Sequence, residues 1–157
     1  MTVGDGAGAD AGAPLRVLVI DGPNLNMVGT REPTIYGSET LAQIHDRVRS
    51  RAAELGGVEV ETFQSNHEGA LIDRIQARGF DGLLVNAGGL THTSVSLRDA
   101  LLSVKAVFVE VHLSDPSKRE PFRSVNFLHD IAFTSVVGQG PAGYVVALER
   151  LVARLRG

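Results

Sequence analysis

From residue 15 onward the chain alternates between short apolar runs rich in β-branched residues and longer segments in which apolar residues recur every third or fourth position. The runs are Arg16 to Asp21, Val58 to Gln64, Leu83 to Ala87, Ala106 to His112 and Phe133 to Gly138, and most lack polar alternation. That pattern predicts strands buried on both faces. Between them, Leu41, Ile44, Val48, Ala52 and Leu55 form a helical stripe, opened by a Thr40-x-x-Gln43 capping box and stopped by Gly56-Gly57. Leu71, Ile72 and Ile75 before Gly79 predict a shorter helix, and Leu97, Ala100, Leu101 and Val104 a third. Val145, Leu148, Val152 and Leu155 predict the last, and a brief helix is expected around Glu120 to Phe127.

Five strands alternating with helices imply an α/β domain over residues 15–157. Its parallel sheet is covered by helices on both faces and joined by right-handed crossovers. The economical topology is the flavodoxin-like one, a five-stranded parallel sheet of order 2-1-3-4-5. In such sheets ligands bind beyond the carboxyl ends of the strands where the order reverses, here between the first and third.

The loops at that end carry the unusual residues. After the first strand comes GPNLNMVGTREPTIYG (22–37), far longer than the roughly 2–6 residues that a strand-to-helix connection needs. SNHEG (65–69) follows the second strand, NAGGLTHTS (86–94) the third, and EVHLSDPSKRE (110–120) ends the fourth. Loops at the opposite end, such as Arg78-Gly79-Phe80-Asp81, are ordinary. Each residue alone has a structural reading: Asn24 an Asx turn, Gly88-Gly89 a tight turn, Thr93 or Ser94 a helix N-cap, Asp99 a solvated position opposite Leu97 and Leu101. Arg31 could pair with Glu32 or Asp21, and Tyr36 could anchor the long loop by packing. Their coincidence at one end of one sheet points to a polar cleft.

Composition narrows the chemistry. The chain of 157 residues has no cysteine, which removes thiol nucleophiles, disulfides and cysteine-bound metals and fits a reducing, cytoplasmic compartment. A net charge of -3 and only eight aromatic residues give no track for nucleic acid. The first fourteen residues, MTVGDGAGADAGAP, read as a disordered tail with neither the basic start nor the apolar run of a signal peptide, and no apolar stretch is long enough for a membrane. His92 and His112 lack the spacing of metal ligands, no G-x-S-x-G elbow surrounds Ser94 or Ser114, and no G-x-G-x-x-G follows the first strand. A flavin binder on this fold would need a Ser/Thr-rich phosphate loop, and a phospho-acceptor domain a pair of aspartates beside Asp21. What remains is acid–base chemistry on an anionic, polar small molecule.

Four ordered motifs, GPNLNMVGTREPTIYG, QSNHEG, NAGGLTHTSVSLRDAL and VEVHLS followed by RE-x-F-R, span nearly the whole chain after the tail. In them the chain resembles the type II 3-dehydroquinate dehydratases. The resemblance implies a flavodoxin-like enzyme that removes water from 3-dehydroquinate without metal or organic cofactor, in aromatic biosynthesis or quinate breakdown. It also implies assembly of trimers into a dodecamer. Carried over by residue, Tyr36 would take a proton from C2 with Arg31 beside it, and Asn24 would hold the water that stabilises the enolate. His112, oriented by Glu110, would protonate the departing C1 hydroxyl. Asn86, His92, Leu113, Ser114 and Arg123 would bind substrate, and Asp99 would reach a neighbouring subunit's site. The type I mechanism needs a Schiff-base lysine, and only Lys105 and Lys118 exist, neither in a catalytic motif. Two departures stand out: Val28 where leucine is commoner, and Asp115-Pro116-Ser117-Lys118 where the family usually has Asn-x-His-x. The second brings the loop geometry near Ser114 into question.

Overall fold

The computed structural model describes residues 12–30 and 38–157. Of the expected tail, residues 1–11 lie outside this description, and 12–14 lead through a turn into the first strand. Five strands follow: β1 (Leu15–Asp21), β2 (Val58–Gln64), β3 (Gly82–Asn86), β4 (Phe108–His112) and β5 (Thr134–Val137). They pair in parallel in the order β2-β1-β3-β4-β5, the topology expected from the alternation of runs. The described helices are α1 (Leu41–Leu55), α2 (Glu68–Gln76), α3 (Val95–Ser103) and α4 (Ala142–Arg156).

Strand parity sorts the core into two layers. Val17 and Val19 of β1, Leu84 of β3 and Val109 and Val111 of β4 pack with Ile44 and Val48 of α1 and with Leu148 and Leu151 of α4. Leu18 and Ile20, Leu83 and Val85, and Phe108 face the other way, against Leu71 and Ile75 of α2 and Leu97 and Leu101 of α3. The helices therefore cover both faces, as the unbroken apolar runs require. The edge strands are the exceptions: burial alternates along Val58 to Thr62 of β2, and only Val136 of β5 is buried.

Local signals work as their chemistry dictates. The Thr40 side chain accepts from the Gln43 N–H at 3.2 Å while the Gln43 side chain accepts from the Thr40 N–H at 2.9 Å, so both halves of the capping box form. Ser94, and not Thr93, caps α3 by accepting from the Leu97 N–H. The helix expected over Glu120 to Phe127 shrinks to a 3-10 turn, Pro121–Ser124. Its continuation is diverted because the Phe127 N–H donates to the Thr91 carbonyl instead of to its own turn. Strand four starts at Phe108 and not Ala106, since Lys105 adopts φ 53 and the Ala106 N–H returns to the Leu101 carbonyl.

The exits of β1 and β3 are pressed together. A Cβ on Gly22 would lie 2.4 Å from the Ala87 carbonyl oxygen, a backbone atom with no freedom to move away. Gly22→Ala is expected to lower the unfolding free energy by about 1–3 kcal/mol through overpacking. Gly69→Ala, whose methyl would meet nothing within 4 Å at the start of α2, should leave stability unchanged or raise it by up to about 1 kcal/mol. Urea unfolding of the two variants side by side checks the contrast.

Candidate active site

Glu110 and His112 stand two residues apart on β4 and project to the same side, the alternation that any strand imposes. Glu110 is 1% exposed, and such burial is tolerable for a carboxylate only if its oxygens are hydrogen-bonded. Its Oε2 accepts from His112 Nε2 at 2.7 Å and from Asn126 Nδ2 at 2.6 Å. Its Oε1 accepts from Ser135 Oγ at 2.7 Å, and His129 Nδ1 stands 3.4 Å away. Ser135 is the register partner of Glu110 across the β4–β5 ladder, which brings its hydroxyl within reach. Burial pushes the Glu110 carboxyl up, but the hydrogen bonds from His112, Ser135 and Asn126 outweigh it and hold the group at about 2, against an ordinary 4.5. A carboxylate only accepts, so His112 Nε2 carries the proton of that contact and Nδ1 is the ring's other functional position.

A cavity of about 410 Å³ opens here, bounded by His92, Glu110, His112, Arg123 and His129, with Asp115, Pro116 and Ser117 as one wall. His92 Nδ1 donates to the Val125 carbonyl at 2.6 Å, which leaves Nε2 as the acceptor of the neutral ring. Arg123 gives its Nε to Glu120 at 2.6 Å and lies over the Phe122 ring. Among the described residues its two terminal nitrogens have no partner, so the fork that pairs with carboxylates remains open. The wall is self-contained: Asp115 accepts from both the N–H and the hydroxyl of Ser117 and caps the 3-10 turn Pro116–Lys118. The departing segment thus satisfies itself locally, and Ser114 stays exposed at its root.

Five other expected residues lie outside that lining. Leu113 is half-buried and, with Ser114, sits just beyond β4, where the Leu113 carbonyl accepts from the Gly140 N–H. Asn24 is exposed with φ 71, and its N–H donates to Asn66 Oδ1 at 2.9 Å, so loops one and two are joined there. Asn86 is buried at the end of β3. Asp99 is exposed on α3. Arg31 and Tyr36 lie outside the described residues.

Several partners were not foreseen. Asn126, His129 and Ser135 surround Glu110, yet they sit in segments with no motif; strand register places Ser135, and the connection before β5 places the other two. A second buried cluster joins His45, Asp21, Tyr144 and Asn86 at the end of β1 and β3. Asp21 has contacts on both oxygens, from Tyr144 and His45, and the Arg31 pairing considered from sequence falls on a residue outside the described ones. Here a signal existed: His45 falls four residues after Leu41 on the apolar stripe of α1, and Tyr144 four before Leu148 on α4.

The family model described as Dehydroquinase class II matches residues 15–152. The chain belongs to the class II dehydroquinase family. A protein of Bordetella avium named 3-dehydroquinate dehydratase is 55% identical over 139 residues, 87% of this chain and 96% of its own length. One of Aspergillus oryzae named catabolic 3-dehydroquinase is 50% identical over 142 residues, 89% of this chain and 92% of its own. The crystal structure of a type II dehydroquinase from Butyrivibrio crossotus superposes with a TM-score of 0.82 at 41% identity, covering 88% of this chain and 98% of that one.

The Glu110 cluster sets a pH signature. Its folded-state value lies below the unfolded one, so its stabilisation is complete above pH 4.5 and is lost as pH falls toward about 2. The contribution is at most about 3 kcal/mol. Between pH 5 and 3 the unfolding free energy of the parent should therefore fall more steeply than that of Glu110→Gln, as measured by urea titrations at successive pH values.

Proposed function

We propose that the chain dehydrates 3-dehydroquinate to 3-dehydroshikimate by stepwise acid–base elimination through an enolate. The observation that carries this reading is the Glu110–His112 contact of 2.7 Å at the edge of a cavity that also holds His92 and Arg123. A buried, hydrogen-bonded carboxylate beneath a histidine fixes the ring and the proton on Nε2, which leaves Nδ1 free to face the reacting group, the orientation a general acid needs.

Tyr36, as the phenolate, removes the C2 proton; the electron pair of that C–H bond forms a C2–C3 double bond as the carbonyl π pair moves onto the C3 oxygen. Asn24 holds the water that stabilises this enolate. The enolate then re-forms the ketone and makes the C1–C2 double bond as the C1 hydroxyl leaves, with a proton from His112 turning it into water. Because Glu110 occupies Nε2, the proton delivered is the one on Nδ1. Arg123 offers its open fork to the substrate carboxylate, and His92, Asn86, Leu113 and Ser114 bind the rest of the ring. No cofactor takes part. Val95, Asp99 and Leu102 follow helical spacing on α3, and the two apolar members are about half exposed, at 51% and 48%. This stripe supports contact with another subunit in a trimer-based dodecamer, with Asp99 reaching that subunit's cavity. No helix among the described residues is long and apolar enough to cross a membrane, in keeping with a cytoplasmic enzyme.

His112→Ala should slow formation of the conjugated enone, followed by its ultraviolet absorbance, by about 10²–10⁴-fold. Exchange of the C2 proton with deuterated solvent should persist in that variant, since it precedes the step that needs the acid. Equal loss of both would refute the stepwise route. A second expectation concerns the base. Serving near neutral pH, a tyrosine of pKa about 10 needs a downward shift of roughly 3 units, about 4 kcal/mol, which one guanidinium about 4 Å away can supply. Arg31→Gln should therefore lose turnover at pH 7 and regain part of it at higher pH, while Tyr36→Phe stays inactive throughout yet binds substrate. A pH–rate profile of Arg31→Gln that overlays the parent's removes Arg31 from this role.

A further inference from the structure

The cluster at the ends of β1 and β3 has a direction built into it. Asp21 and Asn86 are register partners, so their side chains share one face of the sheet, beneath α1 and α4. Both are buried, and so is Tyr144 in the first turn of α4. The Tyr144 hydroxyl lies 2.6 Å from Asp21 Oδ1 and 2.8 Å from Asn86 Nδ2, while His45 Nε2 occupies the other Asp21 oxygen at 2.7 Å. Asn86 Oδ1 in turn accepts from the Gly88 N–H at 3.2 Å.

The sense of each bond follows from the first. A carboxylate has only acceptors, so Tyr144 must donate to Asp21. A hydroxyl has one hydrogen, so toward Asn86 it can only accept, and the carboxamide must turn its nitrogen to Tyr144 and its oxygen to Gly88. The opposite rotamer would set oxygen against oxygen at Tyr144 and N–H against N–H at Gly88. Burial, with the charge and hydrogen bond of Asp21, pushes the Tyr144 phenol well above its usual value near 10, so the hydroxyl keeps its proton.

We propose that Tyr144, polarised by Asp21, is a positioning residue for substrate binding: it locks the Asn86 carboxamide so that Asn86 presents its second amide hydrogen, as a donor, to an oxygen of the substrate. The proposal rests on the reading of Asn86 as a substrate-binding residue. Neither Tyr144 nor Asp21 touches the substrate; both act through Asn86.

The test is a double-mutant cycle with 3-dehydroquinate. Tyr144→Phe keeps the ring and removes the hydroxyl, and should raise KM about 5- to 20-fold with kcat within about twofold, the pattern of lost uniform binding. In an Asn86→Ala background the same change should leave KM where Asn86→Ala alone puts it. Asp21→Asn, which keeps the shape but can face Tyr144 either way, should raise KM by a smaller factor and serves if Tyr144→Phe does not fold. An unchanged KM in the folded variants, or an equal rise in the Asn86→Ala background, overturns the proposal. A parental KM in Asn86→Ala itself overturns the substrate role of Asn86. Orientation is then read separately, from solvent exchange of the Asn86 side-chain amide protons by NMR. Exchange should be slow in the parent and at least about tenfold faster in Tyr144→Phe, and equal rates in the two overturn the locking.

Discussion

A carboxylate with 1% of its surface exposed is the constraint around which this site is assembled. Burying an unpaired ion is unfavourable by several kcal/mol, so Glu110 has to gather donors from whatever elements pass near it. They come from three segments: His112 from its own strand, Asn126 from the connection that follows the Pro121–Ser124 turn, and Ser135 from β5. That connection is itself pinned, since Arg98 of α3 donates to the Phe127 carbonyl at 2.8 Å and pairs with Asp130. One buried charge therefore ties α3, β4 and β5 to the same few ångströms, and the histidine beside it inherits their rigidity.

The same alternation that divides the core also divides the polar groups. Glu110 and His112 follow Phe108 toward the α2–α3 layer, whereas Asp21 and Asn86 continue the Val17–Val19 and Leu84 positions toward the α1–α4 layer. Each apolar layer thus ends in a buried polar cluster as the strands run out at their carboxyl ends, and the cavity opens beside the Glu110 one.

Much of this was legible because the relevant signals are local. Strand runs, the Thr40–Gln43 capping box and the spacing of Glu110 and His112 each depend on residues within four positions of one another, and a period of two or 3.6 turns directly into a shared face. What could not be read is what depends on register between distant segments. Ser135 reaches Glu110 only because β5 pairs with β4 in one particular alignment, and Asn126 arrives through a connection whose path is set by contacts distant in sequence. The error at Glu120 to Phe127 has the same origin: the local pattern suits a helix, and a long-range bond to the Thr91 carbonyl overrides it. His45 and Tyr144 fall between these cases, since their positions on apolar stripes mark them as buried but do not say that they converge on Asp21.

The wall formed by Asp115, Pro116 and Ser117 is mechanically separate from the reacting groups. Its hydrogen bonds are internal to the turn, so its residues can drift without disturbing the histidine that sits three positions earlier. It is also the stretch in which this chain leaves the usual motif. A ligand anchored only on His112 and Arg123 would meet the groups assigned to the reaction, whereas one extended toward Ser117 would meet a turn held by its own hydrogen bonds. One short, self-supporting edge of the cavity can therefore be contacted separately from the groups that carry the chemistry.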